Sequence, residues 1–349
     1  MKIAILNDTH CGCRNSSEVF MDYQERFYGD VFFPYLLENN ITQILHLGDY
    51  YDNRKTVNLK ALSHNRRIFL DKLREYNIHM DIIPGNHDVY FKNTNELNSL
   101  KELMGHYMNE VDILMDPIVR EYDGVKFGLV PWICPENEKE VMTFLDNCGA
   151  DVIGGHFELA GFEMDKGLVC KEGMDPKPLQ KFETVLSGHF HTKSSKGNIH
   201  YLGAQMEFFW NDAHDPKYFH IYDTETRELT PVQNNVTMFH KIYYDLHVLA
   251  ATGLIDSKNR FHLMPVESIE PLAELFRHRF LATLLREKLI SAKKARQLLG
   301  WKHSGFSLDA GEKPVAAHDV EGRRRLAEYL LRAPFSLELR TLCLRRRCP

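Results

Sequence analysis

"IIPGNHDVYF", residues 82–91, is an apolar run broken by Pro84-Gly85 and then by Asn86, His87 and Asp88 in direct succession. Three polar side chains with three different donor and acceptor patterns stand where a strand should end. Which of them binds something, and what, depends on whether other strands end in the same way.

They do. Strand "KIAILN" (2–7) ends in Asp8-Thr9-His10, and strand "TQILHLG" (42–48) runs into Asp49-Tyr50-Tyr51-Asp52. Later apolar runs, "ADVIGGH" and "ETVLSGH", end in Gly155-His156 and in Gly188-His189-Phe190-His191. Between them the periodicity predicts helices in the twenties and thirties, over about 57–75, and near 95–104. Further strands are predicted at "DILMD", "PIVREY" and "VKFGLVPW", with hairpin strands at "KYFHIYD" and "RELTPVQ". Alternating buried strands and helices imply an α/β fold with layers on both sides of the sheets. In such sheets the carboxyl ends of strands converge on one crevice. A single Asp-x-His or Gly-Asp is commonly a turn, but five such loops, all rich in Asp, Asn and His, point at one place.

Composition sets the outer bounds. The chain has 349 residues, 44% hydrophobic and 26% charged, which is ordinary for a globular protein with one domain and a smaller second one. No apolar run approaches the roughly 20 residues of a membrane span, and "MKIAILNDTH" is too soon polar for a signal peptide, so the expected location is the cytoplasm, away from membranes. The seven Cys are scattered, which argues against a disulfide framework. Cys11-Gly12-Cys13 lacks the second pair that a metal site of that kind needs.

The net charge of −5 hides a split: residues 1–245 carry 24 Lys and Arg against 37 Asp and Glu, and residues 246–349 carry 19 against 11. The grammar changes at the same point, from alternating strands and helices to Leu-, Ala- and Arg-rich helical stretches. Two domains are expected, 1–245 and 246–349.

The set "DTHCG", "GDYYD", "GNHD", "GGH" and "GHFH", in that order, resembles the calcineurin-like metallophosphoesterases. More narrowly it resembles nuclease subunits of the SbcCD type, in their T-even-like phage branch. The resemblance implies a layered sandwich of two β-sheets flanked by helices, and a site for two divalent ions. Carried over residue by residue, Asp8, His10, Asp49 and His191 would hold one ion, and Asp49, Asn86, His156 and His189 the other. Two ions about 3.5–4 Å apart need a bridging carboxylate, and the two oxygens of Asp49 could each take one. Mixed imidazole, carboxylate and amide ligands suit Mn²⁺, with Fe²⁺ or Zn²⁺ as alternatives. His87 is read as the group that donates a proton to the leaving oxygen or stabilises charge on the phosphoryl group, and Asp88 as the residue that orients His87 through its ring N–H. Asp52 is read as closing a turn, and Gly85 and Gly188 as letting the backbone turn sharply.

The same resemblance implies a DNA substrate, exonuclease and single-strand endonuclease activity, a coiled-coil ATPase partner of the SbcC type and a homodimer. Arg54, Lys55, Lys60, Arg66 and Arg67 could line a basic groove or a solvated helix face. Phe208, Phe209 and Trp210 could stack on bases, with core packing expected for at least two of them. Residues 298–338, with "WKHSGFS" and "LAEYLLRAP", resemble instead the tail of rolling-circle, two-tyrosine transposases, without the His-x-His motif of their catalytic part. The chain therefore reads as a chimera whose replaced tail bears on partner binding. Two other classes stay open: a phosphoesterase of small or protein-bound esters, and a DNA-binding subunit with impaired catalysis.

Overall fold

The first strand alternates in a way that explains the layers: Ile3 and Ile5 face one hydrophobic cluster, and Ala4 and Leu6 face another. A strand buried on both faces must lie between two layers. The computed structural model describes residues 1–165, 167–239, 242–245, 270–286, 290–299 and 342–345, and the chain divides into two compact units, Met1–Phe239 and His240–Pro349.

In the first unit the strands in chain order are β1 Lys2–Leu6, β2 Gln43–His46, β3 His79–Ile82, β4 Val111–Ile113, β5 Ile118–Tyr122, β6 Val125–Val130 and β7 Val152–Gly155. They continue as β8 Glu163–Asp165, β9 Leu168–Val169, β10 Thr184–Ser187, β11 Ser194–Lys196, β12 Ile199–Tyr201, β13 Lys217–Asp223 and β14 Leu229–Asn234. One six-stranded sheet has the order β14-β13-β1-β2-β3-β4 and the other β11-β12-β10-β7-β6-β5. Neighbours run parallel from β1 to β4 in the first sheet and among β6, β7, β10 and β12 in the second; antiparallel strands close every edge except that of β4.

Between the sheets Ile3, Ile5, Leu45, Leu47 and Ile83 meet Phe127, Leu129, Val152 and Leu186. Outside the first sheet, helical segments at Glu18–Glu38 and Leu59–Tyr76 bring Phe27, Phe32, Phe33, Phe69 and Leu73 onto Ala4, Leu6, Ile44 and Met80. Outside the second, the helix Glu138–Asn147 lays Val141 and Leu145 over Ile153 and Val185. The first unit is thus an α/β sandwich of two sheets flanked by helices.

Local sequence accounts for the helix ends. Asn58 Oδ1 accepts from the amides of Lys60 and Ala61, and Asn98 Oδ1 from that of Lys101, each satisfying donors that a helix start leaves unpaired. The wide π-helical turn Phe27–Phe32 precedes Pro34, whose nitrogen has no proton to give to a regular ladder. The helix Glu138–Asn147 and the short strands β11 and β12 were not foreseen: "SSK" has no apolar residue, and "IHY", although Ile199 and Tyr201 are buried on either side of His200, is too short for its alternation to mark a strand.

In the second unit the described residues form helices Glu270–Arg286 and Ala292–Leu299, and Ile242–Asp245 pairs in parallel with Leu342–Arg345. Residues 300–341, which carry most of the transposase-like stretch and Tyr329, lie outside the described residues. Among the described residues no helix is long and apolar enough to cross a membrane.

Candidate metal centre

Parallel neighbours in each sheet bring the five strand ends to one place. β1, β2 and β3 deliver the Asp8, Asp49 and Asn86 loops, and β7 and β10 deliver His156 and the His189–His191 loop. Four of these residues have left-handed backbone: Asp8 (φ 49°), His10 (φ 44°), Asp49 (φ 56°) and His189 (φ 85°). Such conformations cost on the order of 1–3 kcal/mol each and persist only where the surroundings impose them.

The loops are held by buried polar contacts. Asn7 Nδ2 donates to Asp8 Oδ2 (2.6 Å) and to the Gly203 carbonyl (2.8 Å). The His189 amide donates to both Asp8 oxygens (3.2 and 3.0 Å), and Gln24 Nε2 to the Thr9 carbonyl (2.8 Å). Two glycines let the loops approach closely. A Cβ on Gly85 would lie 2.2 Å from Asp49 Oδ1, and one on Gly188 would lie 2.9 Å from the Leu47 carbonyl and 3.0 Å from Asp8 Oδ2. Neither glycine has a positive φ, so close packing and not a special turn is the reason for glycine.

Three groups of potential ligands result in the crevice, and the third, His10, Asp52 and His87, shares His10 with the first. In the first, His10 Nε2 and His191 Nε2 are 3.0 Å apart, and Asp8 Oδ1 is 3.9 and 3.7 Å from them. In the second, His156 Nε2 is 3.3 Å from Asp49 Oδ2 and 3.1 Å from Asn86 Oδ1, which is also 2.9 Å from His189 Nδ1. Ligand atoms of a divalent ion lie about 2.1 Å from it and hence roughly 3–4 Å from one another, as here.

The donor chemistry fits a cation. His156 Nδ1 donates to the Leu47 carbonyl (2.7 Å), so neutral His156 turns an Nε2 lone pair toward two oxygen acceptors. Burial opposes a second proton on His156, yet Asp49, Asp8 and the Leu47 carbonyl raise its pKa to about 9. Burial likewise works against ionised Asp8 and Asp49, but the facing histidines hold both carboxyls well below the usual range. Three lone pairs converging in a buried space call for positive charge, whether proton or metal ion.

Asp49 departs from expectation. Its Oδ1 accepts the His87 amide at 2.7 Å, so only Oδ2 is turned to the ligand groups, 3.9 Å from His10 Nε2 and 3.3 Å from His156 Nε2. One oxygen, not two, faces both.

The expected pairing of Asp88 with His87 is corrected by the structure. Asp88 is fully buried beneath the loops, where its carboxylate accepts the amides of Tyr50 (3.0 Å), Tyr51 (3.0 Å) and Gly85 (2.9 Å). It ties the second and third loops together and never meets the His87 ring. His87 Nδ1 donates instead to the Asp52 carbonyl at 2.6 Å. The Asp52 carboxylate lies 3.4 Å from His10 Nδ1, a charge contact without hydrogen-bond alignment, so Asp52 does more than close a turn.

Two further neighbours escaped the sequence reading. Glu158 Oε2 is 3.7 Å from His189 Nε2, on the far side of the ring from Asn86, and Trp132 packs 5.4 Å from His189 and 5.9 Å from His156. Glu158 follows His156 by two residues, the one signal that could have flagged it.

Two of the five basic residues of the stretch are paired with carboxylates and a third is tied to backbone. Arg67 makes a bidentate pair with Glu25 (2.7 and 2.9 Å), Lys60 pairs with Glu18, and Arg66 donates to the Leu103 carbonyl (3.1 Å). Cys11 and Cys13 are buried free thiols whose pKa burial pushes far up.

Comparison with known proteins places the site in context. Residues 1–193 match the model of the calcineurin-like phosphoesterase family. Exonuclease subunit 1 of Enterobacteria phage T4 is 34% identical over 259 residues, 74% of this chain and 74% of that protein. Among solved structures, a protein of Thermus thermophilus covers 67% of this chain and 98% of its own at TM-score 0.40 and 12% identity. An archaeal phosphodiesterase covers 67% and 100% at TM-score 0.35 and 18% identity.

Proposed function

The chain belongs to the calcineurin-like phosphoesterase family, and from that premise we propose that it hydrolyses phosphodiester bonds of DNA with two divalent ions, Mn²⁺ being the expected pair. The observation that carries this reading is the single oxygen, Asp49 Oδ2, turned to both ligand groups. In it Asp8, His10, Asp49 and His191 hold one ion, and Asp49, Asn86, His156 and His189 the other.

When bound, the ions supply Lewis acidity, which makes water nucleophilic at neutral pH and stabilises charge on the phosphoryl oxygens. The chain's residues do the rest. The His87 amide fixes Asp49 Oδ1 and so aims Oδ2 inward. The Asp52 carbonyl fixes the His87 ring through the Nδ1 proton, so a second proton, taken up from water at Nε2, can pass to the leaving oxygen. Asp88 holds the two loops in register through three amides.

DNA as the substrate follows from similarity to a phage exonuclease subunit, a name that also implies a second subunit. In this reading the partner is a coiled-coil ATPase of the SbcC type, and the active unit is a homodimer. The basic part after residue 245 is an unrelated, transposase-like segment joined to the phosphoesterase; sequencing reads that never span residues 240–255 would show the join to be an artefact. The activity is tested by incubating the Mn²⁺-loaded protein with single-stranded DNA and with a nitrophenyl phosphate monoester. Release of nucleotides that Asp49→Ala abolishes supports the reading; turnover of the monoester alone overturns it.

A further inference from the structure

Phe208, Phe209 and Trp210 follow one another, yet only Phe209 points outward. Phe208 is buried beside the His10 and His191 rings, Trp210 packs on Phe239 at 4.5 Å, and Phe209 is 47% exposed. An exposed aromatic ring on a slack loop is ordinary. This one is fixed.

Asp212 Oδ2 accepts the amides of Phe208 (2.8 Å) and Phe209 (2.7 Å), which sets the backbone on either side of the ring. Asp212 Oδ1 in turn pairs with buried Lys217 at 2.6 Å, and Lys217 Nζ also donates to the His191 carbonyl at 3.1 Å. One lysine thus fastens the aromatic loop and the His191 loop together. Arg14, exposed in a left-handed turn (φ 53°), sends Nε and Nη2 to the Phe208 carbonyl (3.1 and 2.8 Å) and places its guanidinium 4.6 Å from the Phe209 ring centre. The Phe209 ring lies 5.8 Å from that of His191, tilted by 33°.

A fixed exposed ring, a guanidinium against it whose Nη1 has no hydrogen-bond partner among the described residues, and a candidate metal ligand beside the ring make a particular combination. The ring offers a π-face that any base can use, and the guanidinium offers a donor for a phosphate oxygen. Because the loop is held before anything binds, little ordering entropy is lost on binding. Bases within a duplex are already stacked on one another, so such a ring selects unpaired nucleotides.

We infer that Phe209 and Arg14 form a subsite for an unpaired nucleotide flanking the scissile phosphodiester, Phe209 stacking on its base and Arg14 contacting its phosphate. This rests on the DNA reading above and names the form of DNA the site takes.

The test uses the full-length Mn²⁺-loaded protein on single-stranded oligonucleotides, unmodified and with one abasic residue moved stepwise along the strand. Cleavage of the unmodified oligonucleotide by the unaltered protein establishes the DNA reading; its absence removes both. Given cleavage, Phe209→Ala is expected to raise KM about 5- to 100-fold, Phe209→Tyr to restore it, and Mn²⁺ content to stay unchanged. An abasic residue at the flanking position is expected to impose a similar rise on the unaltered protein and leave Phe209→Ala little more to lose. An unchanged KM in Phe209→Ala, or a loss that persists undiminished on every abasic oligonucleotide, overturns the subsite.

Discussion

His87 Nδ1 donates to the backbone carbonyl of Asp52 across 2.6 Å, so a main-chain oxygen and not the neighbouring Asp88 side chain sets the ring. A backbone acceptor survives substitution of its own side chain. The hydrogen bond from His87 to Asp49 is made by its amide, which alanine keeps. His87→Ala is therefore expected to lower kcat on DNA by about 10²- to 10⁴-fold while two Mn²⁺ ions still bind, as measured by metal analysis beside steady-state rates.

Asp52 and Asp88 separate by the same logic. In Asp52→Ala the carbonyl that holds His87 remains, and what is lost is the carboxylate 3.4 Å from His10 Nδ1. Mn²⁺ affinity should fall about 10-fold or more, with kcat at saturating metal close to that of the unaltered protein. Asp88→Ala instead strands three buried amides and should cost about 2–4 kcal/mol of stability, read from urea unfolding. A kcat loss in Asp88→Ala at full stability would contradict this division.

Gly85→Ala tests the close approach of the loops. The added methyl would sit 2.2 Å from Asp49 Oδ1 and 2.4 Å from the Asp49 backbone nitrogen, so backbone as well as side chain would have to shift. Isothermal titration should show Mn²⁺ binding weakened by an order of magnitude or more, with unfolding made easier by about 1–3 kcal/mol.

His220, on β13 away from the ligand loops, gives a pH dependence of stability. Burial, helped by Lys193 and His200, lowers its pKa from 6.5 to about 3, and neither ring nitrogen has a hydrogen-bond partner among the described residues. The unfolded chain then binds a proton near pH 6.5 that the folded chain refuses until about pH 3, so stability falls as pH drops through that window and is level above it. Between pH 7 and 5 this amounts to roughly 2 kcal/mol. Urea unfolding of His220→Leu at the two pH values should show a drop smaller by about that amount; an equal drop would assign the acid sensitivity elsewhere.

The pattern that decided the fold was legible because buried strands and their polar ends are local features. Five strand-end motifs, read in order, named all the residues that the two ligand groups contain. What stayed hidden was direction. Adjacent residues on a tight loop diverge, so His87 looks toward the crevice and Asp88 into the floor, and no spacing rule distinguishes them. Main-chain acceptors such as the Asp52 carbonyl carry no side-chain signature at all. The basic stretch 52–67 was ambiguous for a related reason, since its partners Glu18 and Glu25 sit about 40 residues away in sequence.

The most direct test is DNA hydrolysis as a function of metal content. Metal-free protein is titrated with Mn²⁺ and release of nucleotides from single-stranded DNA is measured at each step. Activity should be absent without metal and reach its plateau at two ions per chain. Hydrolysis without added metal, a plateau at one ion, or no hydrolysis at two would contradict a paired-ion nuclease.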